Sequence, residues 1–179
     1  MRVDELNWAQ GQQTTMGAFL ASYTLHDSAI EQFIFLADGS ALLTVDWDPV
    51  WLERPFTQAG LPPPAMKIYS LCLKFVHVLG ARLDDFLPDE QPFSDSTIAN
   101  SETQLLSAAQ RADLRDALEL LSDTERPSGP IRHEPKIPDG AHCTVVRTIF
   151  GAHIVLYHTE EIVALCYDPD GQVCHLPSL

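Results

Sequence analysis

The sequence predicts an α+β protein built on antiparallel β-sheet, with one main helix near residues 107–122 and a C-terminal β-meander. Three observations carry this reading. An Asp38-Gly39 turn stands between two alternating apolar segments, Leu and Ala recur at three- and four-residue intervals from Leu105 to Leu121, and residues 142–176 divide into short apolar runs separated by turn residues.

Taken in order, the first 25 residues hold the apolar stretch Met16-Gly17-Ala18-Phe19-Leu20, which suits a short helix or packed lead-in. Ala29 to Leu36 and Ala41 to Asp48 then form a β-hairpin, because Asp-Gly supplies the positive φ of a tight turn and alternating Leu43, Val45 and Trp47 give one strand a buried face. Residues 49–66 carry Pro49, Pro55 and Pro62-Pro63-Pro64, so they are expected to be a long connection, partly polyproline II, that spaces two strands. Lys67 to Leu79 alternates as a third, central strand.

An acidic loop is expected next, and then the helix. Ser101-x-x-Gln104 and Ser107-x-x-Gln110 both fit a capping box, and the second start leaves a single clean stripe from Arg111 to Leu121. Residues 122–140, rich in Pro and Gly, read as a linker to the final meander, whose strands are expected at 142–150, 152–157, 161–167 and 172–176. One domain over 1–179 is the expected organisation, with two subdomains breaking at 122–140 as the alternative. A chain of this size buries roughly 70% of its unfolded surface, enough for a core.

Eleven Lys and Arg face 25 Asp and Glu, a formal net charge of −14. Nucleic-acid binding by phosphate neutralisation is excluded, because it needs a basic surface. No apolar run is long enough for a membrane span, and Asp4 and Glu5 stand where a secretory leader would be positive, so the expected compartment is the cytoplasm. Cys72, Cys143, Cys166 and Cys174 form no Cys-x-x-Cys pair and read as reduced core thiols, with a disulfide open if the protein is exported.

Catalytic signals are weak. No glycine-rich phosphate loop and no Gly-x-Ser-x-Gly elbow occurs. His26-Asp27-Ser28 holds the residue types of a hydrolase triad, but three consecutive side chains cannot all converge, so Asp27 or Ser28 is expected to cap a turn and His26 to hold a backbone group or line a surface. The tripeptide is kept as a candidate polar site. His142, His153, His158 and His175 lack metal-ligand spacing, and His153 and His158, five apart, fall on opposite faces of one strand. Asp46, Asp48 and Glu53 read as solvated carboxylates rather than a cation site. No metal and no cofactor is expected. Asp84, Asp85, Asp89 and Glu90, in the acidic middle of the chain, are the candidate partner-binding residues, since clustered charge of one sign selects complementary surfaces.

The run Tyr23-Thr24-Leu25-His26-Asp27-Ser28-Ala29-Ile30, the hairpin ending Val45-Asp46-Trp47-Asp48, and Leu73-Lys74-Phe75-Val76-His77-Val78 together resemble small bacterial immunity proteins of the polymorphic-toxin systems. In those, a Leu-His-Asp-Ser element precedes a β-hairpin and a later strand carries Leu-x-Phe-x-x-Val. The resemblance spans roughly residues 19 to 80 and implies a non-enzymatic inhibitor that binds a protein toxin. Because a nuclease toxin is basic to suit its polyanionic substrate, an acidic inhibitor is complementary to it. Two alternatives stand beside this expectation: a metal-dependent enzyme or binding protein using His26 and Asp27 or the C-terminal histidines, and a subunit of a homo-oligomer.

Overall fold

The structure, a computed structural model, describes residues 6–85, 96–124, 136–177 and 179, with side chains of the long helix described as far as residue 118. The hairpin forms as the Asp-Gly signal demands: β2 (Ala29–Phe35) pairs antiparallel with β3 (Ala41–Trp47) around Gly39 at φ 79°. Ser40 closes the turn, its backbone N–H donating to Asp38 Oδ1 at 3.0 Å.

β4 (Tyr69–Phe75) adds to β3, and β9 (Glu161–Tyr167) adds to β4. The far edge of β9 is shared end to end by β1 (Gln12–Thr15) and β10 (Val173–Cys174). A second sheet runs in the order β5 (Val78–Asp84), β8 (His153–His158), β7 (His142–Thr148) and β6 (Ile98–Leu105), all antiparallel.

The two sheets are joined at two corners. At one, the β4–β9 ribbon continues as β5–β8, bending through Val76-His77 and Thr159-Glu160, where Thr159 N–H donates to the His77 carbonyl at 3.0 Å. The segment 67–79, expected as one strand, is therefore two. Its alternation ends at His77, which is exposed, and the chain changes sheets there. The C-terminal strands stand where the sequence places them, but the same corner splits the run into β7–β8 in one sheet and β9–β10 in the other. At the second corner, β2 and β6 meet at a single bridge, Ala29 to Thr97, with Ile30 N–H donating to Ser96 O at 2.9 Å.

Three apolar layers follow from this layout. The main core lies between the sheets, where Leu43, Val45, Leu71, Leu73 and Phe75 meet Val146, Ile154 and Leu156. The helix α1 (Met16–Ser22) closes one end through Met16 and Phe19, its N-terminus capped by Thr15, which accepts from Ala18 N–H at 3.0 Å. On the outer face of the second sheet, Leu114 of helix α3 (Ala108–Thr124) packs with Cys143 and Val155. A Cβ on Gly80 would come within 3.3 Å of Leu114, so the bare backbone of β5 admits the helix. On the outer face of the first sheet, Leu42, Cys72 and Leu165 are covered by Leu6 and Trp8.

The second of the two capping boxes is the one used. Ser107 Oγ accepts from Gln110 N–H at 3.2 Å while Gln110 Oε1 accepts from Ser107 N–H at 3.0 Å. Ser101-x-x-Gln104 and Leu105 lie instead in β6, where the exchange of hydrogen bonds with β7 outweighs a local cap, and Leu105 is exposed. Ser107→Ala is expected to destabilise the fold by about 1 kcal/mol. Chemical denaturation checks it, and an unchanged midpoint would show that the cap contributes nothing.

The proline-rich connection is more structured than expected. Asp48 Oδ1 accepts from Val50 N–H at 2.9 Å, starting a 3₁₀ turn at Pro49–Trp51 that leads into helix α2 (Glu53–Gln58). Pro49 and Pro55 sit in first turns, where their missing N–H costs nothing, and Leu52 and Phe56 bury their side chains in the main core.

Candidate functional site

His26, Asp27 and Ser28 occupy the bend between α1 and β2, at the corner where the two sheets meet. Asp27 adopts φ 61°, the left-handed region, and its N–H donates to Ile98 O at 2.9 Å. That conformation turns successive side chains in different directions. His26 Nδ1 lies 2.8 Å from Asp27 Oδ2, with both groups about half exposed. Ser28 is fully buried: its Oγ accepts from Asp48 N–H at 3.5 Å and its carbonyl accepts from Ile98 N–H at 2.8 Å. The tripeptide thus yields an exposed His–Asp pair and a structural serine that ties β2, β6 and the turn after β3 together.

The His26 ring also stands edge-on to Trp51 at 5.8 Å. Trp51 Nε1 is buried with no hydrogen-bond partner among the described residues. Asp48 caps the adjoining turn rather than joining a carboxylate cluster, and Asp46 lies on the outer sheet face, where burial and the neighbouring Glu31 charge raise its pKa.

The acidic candidates are placed only in part. Asp84 ends β5 and pairs with Arg82 at 2.8 Å, which holds the Arg82 pKa up and offsets the Asp84 charge. Asp85 follows at φ 62° and is exposed. Asp89 and Glu90 lie outside the described residues. Other bases are likewise engaged by the protein's own groups. Lys74 pairs with Asp38 at 2.8 Å, Arg147 with Glu102 at 2.6 Å, and Arg111 donates to the carbonyls of Pro138 and Asp139. Lys74 and the Ser40 groups hold the Asp38 carboxyl well below the usual carboxylate range.

A polar cluster that sequence reasoning did not find lies inside the core. His158 is fully buried on β8, with its ring 4.8 Å from Phe75 across the sheet interface. Nδ1 meets the Thr159 carbonyl and Nε2 lies 2.7 Å from Thr144 Oγ1. A carbonyl can only accept, so Nδ1 carries the proton and Nε2 accepts from the Thr144 hydroxyl. Thr103 Oγ1, 3.0 Å beyond, extends the chain. Burial lowers the His158 pKa to about 4 against the pull of the Thr159 carbonyl, with His142 adding a smaller push downward. The sequence did hold a signal. With the turn at Gly151 placed, antiparallel counting sets His142 opposite His158 and puts Thr144 and His158 on the inward face with Val146, Ile154 and Leu156.

The His142 ring stands 6.4 Å from that of His158, but both ring nitrogens of His158 are engaged, His142 Nδ1 meets the Gly140 carbonyl at 2.8 Å, and His153 pairs across from Arg147 at the other end of β8. Among the described residues, no group of three or more His, Cys, Asp or Glu side chains is placed to hold a metal ion. Among the same residues, no helix is long and apolar enough to cross a membrane.

Fold and site together define an α+β protein of two antiparallel sheets joined at their corners, with an exposed His–Asp pair at one corner and an acidic strand end. Comparison with protein family models, with curated proteins and with solved structures found no match to this chain.

Proposed function

We propose that the chain is a non-enzymatic cytoplasmic protein that binds another protein, an immunity-type inhibitor whose acidic surface docks a basic toxin. One observation carries the reading: the net charge of −14, with Lys74, Arg82 and Arg147 already paired to the protein's own carboxylates and Arg111 held on its own carbonyls. Fixed negative charge of this kind accelerates encounter with a basic partner and repels acidic competitors. Asp84, Asp85, Asp89 and Glu90 are the proposed docking residues, with Asp85 at the exposed end of edge strand β5 leading into the acidic segment.

The test is association kinetics with a basic protein that the tagged chain retains at low salt and releases at moderate salt. Changing Asp84→Asn, Asp85→Asn, Asp89→Asn and Glu90→Gln together is expected to slow association about tenfold at low ionic strength, with the effect shrinking as salt is added. An unchanged on-rate removes this face from the proposal. A second reading rests on the His26–Asp27 pair beside Trp51, a polar site for a small ligand or a two-residue metal contact. Stoichiometric metal retained through gentle purification would favour it over the first.

A further inference from the structure

We infer that Cys166 and Cys174 form a reversible disulfide site that staples the C-terminal segment to the sheet. The two residues are direct partners in the antiparallel register of β9 and β10. Opposed residues of such a pair have Cα atoms about 4.5–5.5 Å apart, inside the range a disulfide spans. Their side chains point to the same side of the sheet, Cys166 within the main core and Cys174 packed against it. The other two cysteines stand apart from them and from each other. Cys72 faces the opposite side of the first sheet under Leu42 and Leu165, and Cys143 lies beneath α3 in the second sheet.

Their environments divide the labour of exchange. Cys174 is half buried and receives a hydrogen bond from the Cys166 thiol, which lowers its pKa and favours the thiolate. Cys166 is 1% exposed and its pKa is raised, first by that same hydrogen bond and then by burial. Burial likewise pushes the Cys72 thiol up to about 11, leaving it inert.

The oxidant is a small-molecule disulfide. The Cys174 thiolate attacks one of its sulfurs, forming a mixed disulfide and expelling one thiolate. Cys166 then gives its proton to solvent and attacks the Cys174 sulfur, so that the Cys166–Cys174 bond forms as the second thiolate leaves. Two thiols are oxidised and one disulfide is reduced to two thiols, and excess small-molecule thiol reverses both steps.

The staple acts on a segment already tied at a few points. Gln12 Nε2 donates to Leu176 O at 2.8 Å, Gln12 Oε1 accepts from Leu176 N–H at 2.6 Å, and Tyr23 Oη donates to the Pro177 carbonyl. Leu176, 2% exposed, packs into the main core. Closing the bridge makes this local docking covalent at its base, so residues 173–176 open only with the sheet.

The folded protein, equilibrated in glutathione buffers from fully reduced to strongly oxidised, is alkylated and mapped by mass spectrometry. The expected result is loss of two alkylation sites together, a linked 166–174 peptide, full reversal by reduced glutathione, and about tenfold slower amide exchange at Leu176 in the oxidised form. Cys72→Ser with Cys143→Ser is expected to behave as the unaltered protein, and Cys174→Ser to give no intramolecular bridge. Glutathione retained on Cys174 as a mixed disulfide, four alkylated cysteines under strong oxidation, or Leu176 exchange unchanged by oxidation would each overturn the inference.

Discussion

Trp47→Ala is expected to destabilise the protein by about 4 kcal/mol, a large part of the total stability of a domain this size. Trp47 ends β3 on its inward face and is fully buried. Its ring meets Phe19 of α1 at 5.9 Å and Tyr23 at 5.4 Å, so the substitution removes one wall of the aromatic cluster that holds α1 against the sheet. Nε1 also donates to Thr24 O at 2.7 Å, and the truncation leaves that carbonyl without its donor. Trp47→Phe separates the two terms: it retains most of the apolar volume but loses the hydrogen bond, for an expected cost of about 1–2 kcal/mol. Urea titration of both variants checks the pair. A Trp47→Ala loss no greater than that of Trp47→Phe would show that the neighbouring side chains collapse into the vacated space and that the packing argument is wrong. Thr24 leads directly into His26 and Asp27, so both variants also loosen the support of the corner site.

Acidification from pH 7 to pH 4 is expected to cost about 3 kcal/mol through His158 alone. The folded-state pKa is lowered from 6.5 to about 4, first by burial. Between those values the unfolded chain takes up a proton on this residue and the folded chain does not. Stability is therefore at its full value above about pH 6.5, falls as pH drops through the window, and levels off for this residue near pH 4. Asp46, whose pKa is raised, opposes the trend near the lower end, and Asp38, whose pKa is lowered, adds its own loss only below the ordinary carboxylate range. His158→Gln offers the same neighbours a neutral polar side chain with no proton to gain. Denaturation series at pH 7, 6, 5 and 4 for the two proteins isolate the contribution, because Asp46 and Asp38 cancel in the difference. Parallel stability curves would mean that His158 takes up its proton in place and that the Thr103–Thr144–His158 chain accommodates the charge.

The elements most legible in the sequence are those specified by neighbours in the chain. The β2–β3 hairpin follows from Asp38-Gly39 and the alternation of Leu43, Val45 and Trp47, and the start of α3 from Ser107 and Gln110. Local pattern also argued against a triad of His26, Asp27 and Ser28, of which the structure pairs the first two and buries the third. It failed where a long-range ladder competed with a local signal. Ser101-x-x-Gln104 has the spacing of a cap but commits its backbone to β7, and Lys67 to Leu79 reads as one alternating strand although the alternation breaks at His77, where the chain leaves one sheet for the other. In the connection after β3 the prolines were read as breakers, whereas at the first turns of short helical segments they are compatible with helix.

What the sequence alone determined is therefore the α+β class, the β2–β3 hairpin, the approximate limits of the last four strands, the start of the long helix and the acidic balance, whereas β1 and β6 were not read as strands and β5 was merged with β4. The features it determined depend on residue type and on spacing within one segment. Only the tertiary structure decided which strands share a sheet and that His158 meets Phe75 across the sheet interface in the core. Those pairings are set by hydrogen-bond register between distant segments and by the burial that two sheets achieve only when joined, and neither is expressed in the spacing of residues along the chain.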